Sequence, residues 1–137
     1  MNTVAELKHI FQEGWNIPVR IENYVRGVAE FTEPACNQAW RAALASALPP
    51  DQRLRVVDMG TGPGNFACLY AQLGHECTGL DFSQSMLTNA ARRAAELRLE
   101  CQFIFGDAEE PPFAPGSFDV VSSRHLLFNL PRPGVAL

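Results

Sequence analysis

The sequence lacks most features that would tie it to a charged partner, a membrane or an oxidising compartment. Its basic residues form no cluster: 11 Lys and Arg against 15 Asp and Glu leave a net charge of −4. A broad basic field for nucleic acid or an anionic membrane surface is therefore missing. No apolar run approaches the roughly 18 residues that a membrane span needs. Residues 1–15, MNTVAELKHIFQEGW, carry Glu6 and Glu13 in place of the apolar stretch of a signal peptide. The expected location is the cytoplasm, with no nucleic-acid or membrane partner. Cys36, Cys68, Cys77 and Cys101 include no C-x-x-C pair, and His9, His75 and His125 are dispersed. Neither a metal set nor a disulfide framework is expected, and the thiols read as buried and reduced.

What is present is an ordinary globular composition, 137 residues with 47% hydrophobic and 19% charged, enough for one real core. Residues 1–50 read as helical. Val4, Leu7, Ile10 and Phe11 lie at helical spacing, and Thr3 with Glu6 forms a capping pair. Pro18 interrupts, a second helix is expected over 21–30, and Thr32 or Glu33 before Pro34 starts a third over 34–48. Pro49 and Pro50 end it.

From residue 51 the texture changes to alternation. Strands are expected at 54–59, 76–80, 102–105 and 117–122, with a helix at 65–73 ending at Gly74. Another helix is expected from Ser83 or Ser85 through MLTNAARRAAELRL. Strands alternating with helices predict βαβ units, hence an α/β protein with a partial parallel sheet of about four strands flanked by helices. The division expected is a helical cap, 1–50, on a sheet domain, 51–137. The fourth strand would stand as an apolar edge, which predicts a longer parent chain, a second copy or a partner to cover it.

The stretch VVDMGTGPGNFA, residues 56–67, puts Gly60, Gly62 and Gly64 in a turn after an apolar strand that carries Asp58. No lysine closes the turn, which excludes a P-loop. The dinucleotide fingerprint needs a small residue where this chain has Asn65. Asp58 would also repel a pyrophosphate, and it suits a cationic, phosphate-free ligand better.

The pattern of Asp58, Gly60, Gly62 and Gly64 resembles the first motif of the class I S-adenosylmethionine-dependent methyltransferases. GLDFSQSML, FIFGDAEEPPF and SFDVVSSRHLLFNL match three later motifs in the same order. The resemblance runs from residue 54 onward and is closest to small-molecule enzymes of the ubiquinone/menaquinone-biosynthesis type. It implies a Rossmann-like sheet, a helical lid, S-adenosyl-L-methionine as cofactor and S-adenosyl-L-homocysteine as product. It implies cofactor contacts at Asp58, Gly60, Gly62 and Gly64. Asp81 would take the ribose hydroxyls, Phe82 and Met86 would pack on adenine, and Asp107 and Ala108 would meet the adenine edge. Asp119 opens the fourth strand, and Arg124 would face the cofactor carboxylate or an acidic acceptor. His125 is the candidate general base, or it orients the carboxyl end of the cofactor or packs, and Tyr24 and Phe31 on the lid either face the sulfonium or pack in the core.

Methyl transfer from a sulfonium needs alignment in a dry site more than proton chemistry. The expected acceptor is a small, partly apolar molecule. Two alternatives stay open: a non-catalytic methyltransferase-like module that binds cofactor or a partner subunit, and an NAD-dependent oxidoreductase, against which Asn65 and the GDA segment weigh.

Overall fold

The computed structural model describes residues 1–27 and 29–136. Four parallel strands, β1 (Arg55–Met59), β2 (Glu76–Asp81), β3 (Cys101–Phe105) and β4 (Val120–Ser123), lie in the order β3-β2-β1-β4. β1 is central, pairing Val56 with Cys77 on one side and with Val120 on the other. Helix α4 (Asn65–Gln72) joins β1 to β2, and α5 (Gln84–Glu96) joins β2 to β3.

Strand periodicity sorts the core into two layers. Val56, Cys77, Cys101, Phe103 and Val120 face Phe66, Leu69 and Tyr70 of α4. Phe31, Trp40, Leu44 and Leu48, from before the sheet, pack into the same layer. Residues 1–50 thus share a core with the sheet. Val57, Met59, Leu80 and Ile104 point the other way, where Ala108, Phe113, Phe118, Leu126 and Leu130 cover them. No helix crosses that second face among the described residues. Val121 on β4 is left 65% exposed and Phe128 76% exposed.

The N-terminal helices follow local signals. In α1 (Val4–Trp15), Thr3 and Glu6 form the reciprocal capping box. In α3 (Pro34–Ser46), the carboxylate of Glu33 accepts the Cys36 N–H at 2.9 Å. Helix α2 departs from expectation, running Pro18–Gly27 in place of 21–30. Proline has no N–H to lose in a first helical turn, so Pro18 opens the helix it was expected to delay. A short 3-10 turn, Ala29–Thr32, follows, and residue 28 lies outside the described chain.

Strand β4 also starts three residues late. Asp119 is a clamp instead of a strand residue: its carboxylate accepts the Arg55 N–H at 2.8 Å and ion-pairs with the Arg55 guanidinium at 2.9 Å. This lies at the amino end of the sheet, away from the glycine turn. All four cysteines are free, and no helix among the described residues is long and apolar enough to cross a membrane.

Candidate active site

The turn after β1 is built on three left-handed residues: Gly60 (φ 69°), Gly62 (φ 54°) and Gly64 (φ 79°). An L side chain there costs roughly 1–2 kcal/mol in backbone strain. The turn is strapped to β2, because the Gly60 and Thr61 N–H groups donate to Leu80 O at 2.8 and 2.9 Å. A Cβ on Gly64 would come within 2.9 Å of the Ala90 Cβ, so this glycine lets α5 close against the turn.

Asp58 lies behind that turn. It is 3% exposed and its Oδ2 accepts from Thr61 Oγ1 at 2.8 Å. Burial pushes its carboxyl up to about 7, even though Thr61, Ser122 and the Ala67 amide favour the charged form. It shares strand parity with Val56 and faces the α4 layer, away from the cavity described below.

Asp81 ends β2 with both oxygens in use. Oδ2 accepts the Gly62 N–H at 2.8 Å, and Oδ1 accepts the Ser83 N–H at 2.9 Å. The glycine turn is thereby fastened to the start of α5. Burial raises the Asp81 carboxyl above its usual range, opposed by the Ser83, Gly62 and Phe82 amides. Ser83 caps α5 through the Met86 N–H and donates to Asn16 Oδ1 at 2.8 Å. Gln12 Nε2 donates to Phe82 O at 3.0 Å. Both contacts press α1 onto the sheet edge.

After β3, Asp107 accepts the Glu109 N–H at 2.8 Å on one oxygen and pairs with Lys8 Nζ on the other. Lys8 is the sole lysine of the chain. It also meets Glu109 at 2.9 Å. The Glu109 side chain is fully buried, and Arg132 Nε approaches the same Oε2 at 3.3 Å. Burial alone would raise the Glu109 carboxyl, but Lys8 and Arg132 outweigh it and hold it below the usual range. Burial likewise would lower the Lys8 ammonium, and Asp107 and Glu109 reverse that to a rise.

These segments surround one cavity of about 300 Å³ at the carboxyl ends of the strands, where open parallel sheets place their ligands. Its wall brings together Gly60, Gly62, Asp81, Phe82, Met86, Asp107, Ala108, Arg124 and His125. Asp58 and Gly64 are not on it. Tyr24 is, whereas Phe31 is buried, 2% exposed, against Trp40 and Phe66. Lys8, Phe11, Trp15 and Arg20 complete the wall from α1 and α2.

The comparisons agree with this geometry. Residues 57–137 match the family model described as a methyltransferase domain. The chain is 37% identical over 108 residues to the ubiquinone/menaquinone biosynthesis C-methyltransferase UbiE of Rhizobium rhizogenes, covering 74% of this chain and 42% of that protein. It is 38% identical over 98 residues to the demethylmenaquinone methyltransferase of Renibacterium salmoninarum, covering 72% and 40%. The YcgJ protein of Bacillus subtilis superposes with a TM-score of 0.65 at 28% identity, over 70% of this chain and 42% of that one. The chain belongs to the class I methyltransferases.

The chain spans about 40% of the length of the curated relatives it matches. A Cβ built on Gly62 would meet Tyr24 Cε1 at an ordinary contact distance of 3.7 Å. The wall carries carboxylate acceptors at Asp81 and Asp107 and is apolar at Phe82 and Met86. That arrangement fits an adenosyl group; among the described residues the Lys and Arg side chains on the wall are Lys8, Arg20 and Arg124, with Lys8 already held by Asp107 and Glu109. The Arg124 guanidinium lies 4.8 Å from the Phe31 ring centre and within 6 Å of Phe66 and Trp40. Stacking holds the cation while leaving its N–H edge unspent. His125 has φ 58° and its ring lies 6.2 Å from that of Phe128.

Proposed function

We propose that this methyltransferase chain holds S-adenosylmethionine in the 300 Å³ cavity and serves methyl transfer to a small acceptor with an apolar ring system. The observation that carries the reading is the convergence of Gly62, Asp81 and Asp107 on one wall of that cavity. The Asp81 oxygens accept the Gly62 and Ser83 N–H groups, with the Phe82 amide also close, and a carboxylate's roughly four lone-pair sites leave room for a ribose hydroxyl. Phe82 and Met86 give the adenine an apolar bed. Asp107 accepts from its amino group, and Ala108 offers a main-chain N–H to the ring. Gly60 and Gly62 bring backbone close to the methionine portion, and Arg124 faces its carboxylate. Asp58 acts from behind, holding the turn through Thr61.

The cofactor supplies an electrophilic methyl on a sulfonium when bound. The protein's part is to exclude water and align the acceptor, which accounts for most of what such a displacement needs. Phe11, Trp15, Tyr24 and Phe128 form the apolar side of the cavity. The relatives are named as ubiquinone, menaquinone and demethylmenaquinone methyltransferases, and an acceptor ring of that kind suits such a wall. His125, on the cavity wall, is our candidate to take a proton from the acceptor. The four free thiols support a cytoplasmic setting.

Calorimetric titration with S-adenosylmethionine, S-adenosylhomocysteine and NAD tests the reading. Heat with the two adenosyl-sulfur ligands and none with NAD is expected; silence with both overturns it. A second reading, a module that binds cofactor but relies on another polypeptide or a second copy for catalysis, is supported by the exposure of Val121 and Phe128. Tight S-adenosylhomocysteine binding without methyl transfer, together with a dimer or larger species in light scattering, would favour it.

A further inference from the structure

A second cleft opens between α3, α4 and α5, on the helix-covered side of the sheet and away from the methyl-transfer cavity. It has a volume of about 690 Å³ and is lined by Arg41, Arg93, Asn65, Gln38 and Gln72 among others. Two buried polar atoms in it have no hydrogen-bond partner, Arg41 Nε and Asn65 Oδ1. Asn65 is only 5% exposed. A buried polar atom left unpaired is costly, so two on one cleft point to a missing partner.

The arginines sharpen the case. Lys8, Arg26, Arg55, Arg92 and Arg132 have carboxylate partners. Arg20 and Arg124 lie over aromatic rings. Arg53 and Arg98 are exposed. Arg41 and Arg93 are half-buried on this cleft; among the described residues Arg41 has neither a carboxylate nor a ring against it, and Arg93 has only the field of Glu96, one turn along its own helix, without an ion-pair contact. This occurs in a chain where acids outnumber bases. Of the acids near the cleft, Glu33 caps α3, and Glu96 is exposed and shared with Arg92 at 4.0 Å. Gln72 Oε1 accepts from Asn37 Nδ2 at 3.1 Å, which turns its own NH2 group into a spare donor.

We propose that this cleft is a binding site for a phosphate group, free or carried as a small monoester. Two guanidinium forks match phosphate oxygens bidentately. Gln72 adds a neutral donor. Asn65 Oδ1, an acceptor, takes the remaining P–O–H of hydrogen phosphate or a hydroxyl of the ester. A carboxylate would leave Asn65 unsatisfied, since it brings no donor. The site uses no residue of the methyl-transfer cavity and stands or falls separately from it.

The test is titration of the chain with inorganic phosphate, and separately with glycerol 3-phosphate, at constant ionic strength balanced with chloride. The arginine Nε–H signals are followed by NMR and assigned from Arg41→Gln and Arg93→Gln. Saturable shifts of those two signals are expected, with affinity weakened about tenfold or more in the double variant. Tighter binding of glycerol 3-phosphate identifies a monoester site, and equal or weaker binding a free-phosphate site. Shifts that stay linear with concentration, or that survive in the double variant, overturn the proposal. Circular dichroism of the variants, expected to match the parent, separates loss of the site from loss of the fold.

Discussion

Lys8 Nζ and the buried carboxylate of Glu109 meet at 2.9 Å, joining the first helix of the chain to the segment that follows its third strand. Arg132 holds the same carboxylate from the C-terminal side. One buried acid therefore ties both ends of the polypeptide to the rim of the cavity. Lys8→Met leaves Glu109 with a single cation in a site closed to water. A cost of about 1–3 kcal/mol is expected, along with faster hydrogen exchange in α1 and faster entry of the adenosyl ligand. Lys8→Arg should recover most of the stability. Unchanged exchange across α1 in Lys8→Met would show that the contact does not hold the helix down.

Asp81 has a structural duty as well as its proposed ligand role. Both oxygens accept backbone N–H groups, so Asp81→Asn turns one acceptor into a donor facing a donor. This variant should lose adenosyl-ligand affinity and also lower the urea midpoint, by roughly 1–3 kcal/mol in stability. An Asp81→Asn chain with parental stability and lost affinity would mean that the turn does not depend on this carboxylate.

The glycines of the turn should separate fold from binding. Gly62 has room for a Cβ, with Tyr24 Cε1 at 3.7 Å, whereas at Gly64 the Ala90 Cβ stands 2.9 Å away. Gly62→Ala carries only the backbone strain of a left-handed alanine, about 1–2 kcal/mol, while intruding where the ligand is proposed to lie. Gly64→Ala adds a clash on top of that strain and should be the less stable of the two. Thermal melts and calorimetry on the pair check this ordering, and the reverse order would mean that α5 can retreat.

Asp58 makes a distinct pH prediction. Its folded carboxyl holds a proton up to about 7, against an ordinary 3.8. Between those values the native state binds more protons than the unfolded chain, so this group lowers stability as pH rises and levels off above about 7. The slope from one such group is at most about 1.4 kcal/mol per pH unit. Asp58→Asn removes it. Urea unfolding of parent and variant at about pH 5 and about pH 8 should show the parent losing more stability across the interval. Parallel losses would place the Asp58 proton elsewhere.

Much of the architecture could be read from residue order because the signals are local. β1 to β3 are short apolar runs, each bounded by a glycine or an acid, and the caps at Thr3 and Ser83 lie where their side chains suggest. The class I resemblance brought nine of its implied residues to one wall, since parallel strands present their carboxyl ends together. What was not legible depends on faces and distances. Asp58 reads as a cavity residue from its place in the motif, yet strand parity turns it under the glycine turn. Phe31 reads as either a lid or a core aromatic, and only the fold settles it in the core, beneath Arg124. Lys8 went unnoticed because one lysine is no cluster. It lies three residues before Phe11 and seven before Trp15, the spacing of a single helix face, and that face is what α1 lays on the cavity. The second cleft has no motif at all, because it is made by three helices that meet only in the folded chain.

The topology finally says something about how the chain assembles. β1, β2 and β3 are linked by short helical crossovers, and each strand meets its partner after one modest loop closure. β4 is different: Asp119 must find Arg55 across 64 residues, and it arrives without a crossover helix to steer it. Loop-closure entropy and contact order both favour late docking of such a strand. The segment from β1 to β3, with the glycine turn and Asp81 already in register, is therefore expected to gain protection early in refolding. Arg124 and His125, carried just beyond β4, would reach the cavity last.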